Sequence, residues 1–431
     1  MEIFIAVLLI GVMLAVLGSG LWIGLSLLGV AVFGMEMLTS RPAGDSMALT
    51  IWGSTSSWTL TALPLFLWMG EILFRSKLSE DMFKGLAPWL ERLPGRLLHV
   101  NIIGCTIFAA VSGSSAATCA TIGKIALPEL KKRGYPEDIT LGTLAGAGTL
   151  GLLIPPSIIM IVYGVAANVS IADLFIAGVM PGLLLAVLFM GYVMLWALRH
   201  PDAIPAAGAS TSFAEKIYAS RHLIPVVTLI VAVLGSIYSG VATATEAAAF
   251  GVAGALILAR VEGSLTWAAF VDGLIGATRV YCMIGLILAG AAFLTLSMGF
   301  IGLPRHLAEF VGTLNLSPFM LILVLMVLFV VLGCFLDGIS IVVLTISVLL
   351  PTVQKAGIDL IWFGIFIVLV VEMAQITPPV GFNLFVLQGL TKREISHIAK
   401  TAFPMFLLMV AAVLLVYFFP DIVTALPAKM K

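Results

Sequence analysis

The chain has 431 residues, of which 61% are hydrophobic and 10% charged, and its mean hydropathy is +1.17. Soluble domains carry about a quarter charged residues, so this composition indicates a polytopic protein embedded in a lipid bilayer. The net charge is zero and no basic stripe occurs, so we expect no nucleic-acid partner. Four cysteines stand singly without CxxC spacing, which indicates neither a disulfide framework nor a zinc site.

Residues 1–57 are predicted to form N-terminal scaffold helices. Met1–Leu38 is too long for one crossing of a hydrocarbon core about 30 Å thick, and Gly18–Gly20 is the natural point of division. In the first 17 residues Glu2 is the only charge, so we expect a retained helix rather than a signal peptide. A polar stretch, Thr39–Ser57, follows.

Residues 58–198 are predicted to form a first repeat. A span at about Trp58–Phe74 leads to a basic interfacial segment. The apolar region 97–130 is then split by Ser112–Ser115 and ends in Lys131–Arg133. Because cationic loops favour the cytoplasm, we expect a re-entrant helical hairpin that enters and leaves on the cytoplasmic side. Two full crossings are the alternative, although each half is short for that.

The next apolar stretch, 137–167, contains the adjacent prolines Pro155 and Pro156. Two prolines remove two backbone donors, and the freed carbonyls are tolerated at membrane depth only where they line a cavity or are buried in protein. We therefore expect a broken helix that crosses outward. A return span should lead to a cytoplasmic linker at 199–222, and residues 223–300 should form connecting scaffold helices.

The second half repeats the first at one offset. Every member of the following set recurs 223 positions later: Pro128, Gly134, Pro155, Pro156 and Pro181 return as Pro351, Gly357, Pro378, Pro379 and Pro404. Residues 301–431 are therefore predicted to form a second repeat core, with a hairpin at 318–352 split near Asp337 and a broken helix at 360–388. Cations flank the first hairpin and not the second, so the copies should have opposite orientations.

An inverted repeat with a hairpin and a broken helix in each half is typical of secondary transporters. The predicted fold class is thus an all-α polytopic membrane protein with such a repeat. A channel is disfavoured because the repetition is inverted rather than cyclic. An enzyme is disfavoured because all five histidines lie at predicted membrane edges or in loops, and no HExxH, GxSxG or P-loop pattern occurs.

Small and hydroxyl-bearing residues cluster at the four interruptions. They are Ser112, Gly113, Ser114, Ser115, Thr118, Gly148–Gly151, Gly338, Ser340 and Thr377. Hydroxyls and freed carbonyls are hard oxygen ligands, which favour sodium over a transition metal. Exposed N–H groups at half-helix N-termini suit an anionic substrate group. The alternative is that the small residues only permit close helix packing.

Charged residues inside the predicted spans are functional candidates by default. They are Glu71, Glu246, Arg279, Asp337 and Glu372. The alternative for each is a local ion pair or a helix cap. Asp337 differs from the others because it stands at the predicted tip of the second hairpin.

These motifs resemble the large membrane subunit of TRAP transporters, the DctM type. The matching runs are Ser112–Thr118, Leu127–Pro128, Lys132–Tyr135, Leu150–Ser157, Thr245–Ala249, Gly357–Asp359, Phe363–Gly364, Thr377–Gly381 and Asn383–Val386. The resemblance covers nearly the whole chain. It implies an elevator-type importer of the bacterial inner membrane that takes up an organic acid with sodium (Na+). It also implies two partners, a periplasmic substrate-binding protein and a small membrane subunit of the DctQ type.

The resemblance further implies two sodium sites, each where a hairpin meets the neighbouring broken helix. Carried onto this sequence, the first falls on Ser112, Gly113, Ser115, Gly148 and Pro155, and the second on Asp337, Gly338, Ser340 and Thr377, with Glu372 at its edge. The expected substrate residues are Ser114, Thr118, Pro156, Asp337 and Pro379. Many ligands should be backbone carbonyls. Because Pro155 lacks the preceding threonine hydroxyl of the second copy, a ligand at that point would have to be main-chain.

The hairpin tips are predicted to converge on a substrate site near the membrane midplane. The sequence does not identify the acid. A stand-alone sodium- or proton-coupled anion carrier is the alternative function.

Overall fold

The computed structural model describes residues 8–9, 11–13, 15–16, 18–205, 212–303, 305–306, 309, 316–334, 336–379 and 381–430. Every regular element in these ranges is a helix. Four helices are long and apolar enough to span a membrane, and up to eight spans result if each bent helix pair counts as one. The predicted all-α membrane fold is confirmed.

The N-terminal helices are α1 (Ile23–Leu38), α2 (Ala43–Thr55), α3 (Ala62–Phe74) and α4 (Leu78–Leu90), with a 3₁₀ turn at Trp58–Thr61 before α3. A turn at Ser19–Gly20 precedes α1, as predicted. Most of the retained helix predicted at Met1–Leu17 lies outside the described residues. The polar stretch Thr39–Ser57 is mostly helical, because it contains α2.

The first repeat contains α5 (Leu98–Ser112), α6 (Ser115–Lys132), α7 (Glu137–Leu153), α8 (Ile158–Ala167) and α9 (Ile171–Arg199). α5 and α6 pack against each other, which confirms the predicted hairpin. Gly113 ends α5 in the left-handed region at φ 62°, and the Ser114 hydroxyl caps α6 by accepting from Ala117 N–H. α7 and α8 meet at a bend of 40°.

The connecting region contains a 3₁₀ turn (Pro201–Ala203), α10 (Phe213–Ser220), α11 (Ile224–Tyr238), α12 (Ala244–Val261) and α13 (Trp267–Ile301). The linker predicted at 199–222 is partly helical, because it contains α10. A capping box of Ser212 and Glu215 starts this helix, and the spacing S-x-x-E was a visible signal for it.

The second repeat contains α14 (Pro318–Gly333), α15 (Gly338–Lys355), α16 (Leu360–Gln375), α17 (Phe382–Thr391), α18 (Ile395–Phe418) and α19 (Asp421–Lys429). The last long apolar helix is α18, and α19 follows it. The predicted hairpin and broken helix are both present. The remaining domain limits, including the start of this repeat at residue 301, stay predictions.

The helices form two packed groups. In one group, which we call the scaffold, α13 packs against α1, α2 and α3, and α12 packs against α3. Gly24 and Gly290 allow this close approach, since a Cβ on Gly290 would stand 2.6 Å from Gly24 O. In the other group, the core, α7 and α16 are buried almost along their whole length.

The core joins the repeats crosswise. The second hairpin arm of each repeat packs against the second half of the other repeat's broken helix, so that α6 contacts α17 and α15 contacts α8. The first halves, α7 and α16, contact each other. This exchange brings both hairpin tips and both breaks into one region.

Candidate functional site

The first break frees backbone oxygens at the end of α7. Pro155 and Pro156 have no N–H groups, so the carbonyls of Gly151 and Leu152 lose their usual donors four residues on. The buried Ser157 hydroxyl donates to Leu152 O and also caps α8 by accepting from Met160 N–H at 3.3 Å. The chain therefore compensates one of the two freed carbonyls from within the break.

The second break has the same cause and a different solution. Pro378 and Pro379 deprive the carbonyls of Ala374 and Gln375 of donors. Thr377 N–H donates to Ala374 O at 3.2 Å, and the Thr377 hydroxyl donates to Met373 O at 2.7 Å. The Gln375 carbonyl lies so close to the chain after the prolines that a Cβ on Gly381 would stand 2.9 Å from it.

The first hairpin tip packs directly on the first break. Ile158 N–H donates to Gly113 O at 3.4 Å, and a Cβ on Gly113 would stand 2.8 Å from Pro156 O. A Cβ on Gly151 would stand 2.5 Å from Ser114 O and 2.6 Å from the Thr118 hydroxyl. Only glycine fits such approaches, so the tip and the break form one oxygen-rich contact.

Most residues of the predicted first sodium site are thus brought together. The Ser112 and Thr118 hydroxyls lie 2.7 Å apart at this contact, and Pro155 is buried in the break. Gly148 lies one turn away, where a Cβ would stand 2.7 Å from Cys119 Cβ and 3.1 Å from Asn383 Nδ2. Gly148 therefore lies at the interface of α7 with α6 and α17.

The second hairpin tip carries a carboxylate. Asp337 caps α15, with Oδ2 accepting from Ile339 N–H at 3.1 Å and Ser340 N–H at 3.2 Å, and Oδ1 accepting from the Ser340 hydroxyl. Gly338 lies against both broken helices, since a Cβ there would stand 2.5 Å from Val371 Cγ1 and 2.8 Å from Ile159 Cδ1. Asp337, Gly338 and Ser340 therefore stand together as predicted, whereas the Thr377 hydroxyl bonds within its own helix.

Both tips and both broken helices line one small cavity of about 140 Å³. Its lining residues are Gly113, Ser114, Ser115, Ala116, Leu152, Ile158, Ile159, Asp337, Gly338, Ile339, Gln375 and Phe382. The tips converge as predicted, whereas the substrate site near the membrane midplane stays a prediction. Of the expected substrate residues, Ser114 and Asp337 line this cavity. Thr118 and Pro156 lie behind the first tip, and Pro379 is exposed outside.

One lining residue that sequence reasoning missed joins the repeats. Ser115 Oγ donates to Gln375 Oε1 at 3.4 Å across the interface. A polar side chain in the apolar run before Thr377 was the available signal for Gln375. Its partner was not visible, because the contact spans 260 positions of sequence.

Of the four other charged candidates, two have local partners and two do not follow that pattern. Glu71 pairs with Arg75 at 3.2 Å, and Glu246 forms a capping box with Thr243, so both follow the local alternative. Arg279 is exposed in a scaffold cavity of about 820 Å³ that Asp337 also lines. Glu372 is fully buried beside the second break.

The oxygen atoms at the tips are mostly neutral. Asp337 is the only carboxylate lining the cavity, and no three His, Cys, Asp or Glu side chains converge anywhere in the described ranges. Carbonyls and hydroxyls with a single carboxylate are the donor set of hard cations, and a transition metal would require softer ligands. Chemically, the arrangement suits an alkali cation beside a small polar solute.

Known proteins resemble this chain in sequence. The family model of the tripartite ATP-independent periplasmic transporter, DctM component, matches residues 10–422. The C4-dicarboxylate TRAP transporter large permease protein DctM of Pseudomonas aeruginosa is 32% identical, and the match covers 91% of each chain. The ectoine/5-hydroxyectoine TRAP transporter large permease protein UehC of Ruegeria pomeroyi is 33% identical, over 84% of this chain and 85% of the relative.

A solved structure shares the fold. The YdaH transporter of Alcanivorax borkumensis superposes with a TM-score of 0.61 over 86% of this chain and 87% of that chain, at 16% sequence identity. The relatives are multi-pass permease subunits of the inner membrane and not enzymes. This chain belongs to the same family, the DctM-type large membrane subunits of tripartite ATP-independent periplasmic (TRAP) transporters.

Proposed function

We propose that this subunit moves a small organic acid into the cell together with sodium ions. The observation that carries the proposal is the convergence of two hairpin tips and two proline breaks on one cavity. Unwound backbone at membrane depth is tolerated where it lines a cavity, and half-helix ends there bind ions and substrate groups. A purely structural break would need no such convergence.

Sodium would be a co-transported substrate held by the oxygens of each tip and break. At the first, Ser114 O, Pro156 O and the Thr118 hydroxyl lie at one contact. At the second, Asp337 caps the tip, and the Gln375 carbonyl lies at the break against Gly381. The residue-level ligand sets given in the sequence analysis remain predictions. A bound cation would offset the cost of bringing a carboxylate into this apolar surrounding.

The cavity size favours a small acid. A protein cavity of about 150 Å³ holds a molecule the size of benzene, and the site here measures about 140 Å³. Helices α6 and α15 both begin at the hairpin tips, and helix N-termini attract anionic groups. We therefore propose an acid nearer in size to a C4-dicarboxylate than to a sugar acid such as sialic acid.

The position of the tips fits transport by an elevator motion of the core against the scaffold. Gly70 of α3 touches the first tip, since a Cβ there would stand 3.2 Å from Ser112 O. Arg75, five residues further on, marks the predicted cytoplasmic end of α3. The tips thus lie near the predicted cytoplasmic end of α3, and we propose that the core moves outward to receive substrate.

The family membership supports two partners: a periplasmic binding protein that delivers the acid and a small membrane subunit of the DctQ type. The test is uptake of labelled acids into proteoliposomes containing both membrane subunits, with and without the binding protein, under an inward sodium or potassium gradient. We expect uptake only with sodium and the binding protein. Sodium-driven uptake without the binding protein would instead establish a stand-alone carrier, and uptake indifferent to the sodium gradient would reject the coupling.

A further inference from the structure

Glu372 is a carboxyl without a visible partner in the middle of the core. Its side chain is 0% exposed, and neither carboxyl oxygen forms a hydrogen bond among the described residues. The backbone N–H of Leu153 at the end of α7 interacts with the carboxyl, but its geometry falls short of a hydrogen bond. Neither the cavity lining nor the tip contacts use this residue.

Among the described residues, no charged side chain pairs with the Glu372 carboxyl. The charged or titratable side chains on the helices packed against α16 are Glu137, Asp138, Tyr163, Asp173, Tyr192, Arg199, Lys355, His397, Lys400, Tyr417, Asp421 and Lys429. Most stand near helix ends, and none interacts with the Glu372 carboxyl. Tyr163, for example, donates to Leu360 O at the opposite end of α16.

The architecture does not require an acid at this place. The equivalent position of the first repeat, 223 residues earlier, is Thr149, which is buried and donates to Gly146 O at 2.8 Å. That side chain satisfies itself within its helix. Glu372 does not, so the second repeat keeps a group that is costly to bury.

Burying an ionised carboxylate alone carries a large desolvation cost, so a cation must accompany it. A metal ion needs several ligands, and no three His, Cys, Asp or Glu side chains converge on this carboxyl among the described residues. A proton needs none. We propose that Glu372 is a proton-binding site of the transport core, and that sodium binding at the second break releases this proton.

The coupling follows from position. Gln375 lines the cavity and bonds to Ser115. It stands three residues after Glu372 on α16, and the Cβ atoms of residues at that spacing are about 5–6 Å apart. A sodium ion at the second break would favour the ionised carboxyl, and by reciprocity a proton on Glu372 would weaken sodium binding. This part rests on the proposed sodium coupling, whereas the presence of the proton does not.

The proton is tested by infrared spectroscopy of the purified protein in lipid. We expect an absorption band of a protonated carboxylic acid that is absent in Glu372→Gln and in Glu372→Met and diminishes on addition of sodium. Glu129→Gln is the matched control, because Glu129 is an exposed partner of Arg133 at 2.7 Å. The measurement needs only one of the two Glu372 variants to fold. A spectrum that the substitution leaves unchanged overturns the proposal.

The coupling is tested by sodium activation of uptake at several pH values. In the wild type we expect the sodium concentration for half-maximal uptake to rise as pH falls. In Glu372→Gln, which mimics the protonated state, it should stay high at every pH. An unchanged pH dependence in the variant overturns the coupling. Uptake without any sodium dependence would reject the proposed function, while the infrared band would still decide whether Glu372 binds a proton.

Discussion

The two tip-and-break units are copies of one another, but they manage their freed oxygens differently. In the first, a neutral serine caps the tip, the Ser157 hydroxyl satisfies Leu152 O, and the proline pair is buried. In the second, Asp337 caps the tip and Pro378 and Pro379 are exposed. The first unit is thus closed on itself, and the second keeps both a charge and accessible backbone.

The glycines at the two contacts between tip and broken helix differ in the same way. Gly151 faces a backbone carbonyl and a short hydroxyl, whereas Gly338 faces the methyl ends of Val371 and Ile159. Backbone atoms cannot turn aside, but side-chain ends can. We infer that the first unit is the rigid half of the site and the second the adaptable half.

Replacing Gly151 should have the largest effect. In Gly151→Ala the new methyl would stand 2.5 Å from Ser114 O, and overpacking of this kind costs about 1–3 kcal/mol. We expect the initial uptake rate to fall by about tenfold or more, since about 1.4 kcal/mol corresponds to tenfold. In Gly338→Ala the initial uptake rate should fall less. Gly285→Ala is the control, because nothing lies within 4 Å of a Cβ there; equal rates for Gly151→Ala and Gly285→Ala would contradict the rigid contact.

Removing the charge of the second tip should have the next largest effect. Asparagine also caps helices, so Asp337→Asn should keep the start of α15 while removing the negative charge. We expect the sodium concentration for half-maximal uptake to rise on the order of tenfold, as when a metal-site partner is lost. Ser114→Asn at the first tip is the matched control and should change this sodium concentration less. The asymmetry between the units would be refuted by equal shifts in both variants.

The sequence determined the breaks well because their cause is local. Adjacent prolines such as Pro155 and Pro156 break a helix in any context, and their recurrence at one offset identified the duplication. The tips were equally visible, since Gly113 and Asp337 are a C-cap and an N-cap signal inside apolar runs.

The partners of these breaks could not be predicted, because they depend on packing between distant segments. The Ser115–Gln375 bond joins the two repeats, and no local pattern encodes it. Helices α2 and α10 were missed for a different reason: both are short and polar or amphipathic, so they give no membrane-span signal. Glu372 was visible as a charge, but its lack of a partner was not.

The hydroxyls at the two breaks should separate stability from sodium dependence. Ser157→Ala leaves the buried Leu152 carbonyl without its donor and removes the cap of α8, which costs about 1–3 kcal/mol and should lower the melting temperature. Thr377→Ala removes a half-buried hydroxyl that bonds only to Met373 O, so the melting temperature should change less. We expect Thr377→Ala to weaken sodium activation instead; unchanged activation would count against a ligand role for Thr377.

The smallest effects are expected at two equivalent contacts that join the repeats at the far ends of the broken helices. At one, Arg393 Nη2 and Nε contact the Glu137 carboxylate at 2.6 and 2.9 Å, with both side chains about half exposed. At the other, the buried Tyr163 hydroxyl donates to Leu360 O at 2.6 Å. Position 360 lies 223 residues after Glu137, so the same junction is an exposed ion pair at one end and a part-buried hydrogen bond at the other.

Arg393→Gln should therefore lower the free energy of unfolding by less than about 1 kcal/mol, because water and salt screen an exposed ion pair. Tyr163→Phe should cost about 0.5–1.5 kcal/mol, since it removes a hydrogen bond that is partly shielded from water. Thermal unfolding of both variants at low and high salt is the measurement, and only the wild-type advantage over Arg393→Gln should shrink with salt. A larger loss for Arg393→Gln than for Tyr163→Phe would mean that the junction near Glu137 is buried in the assembled transporter.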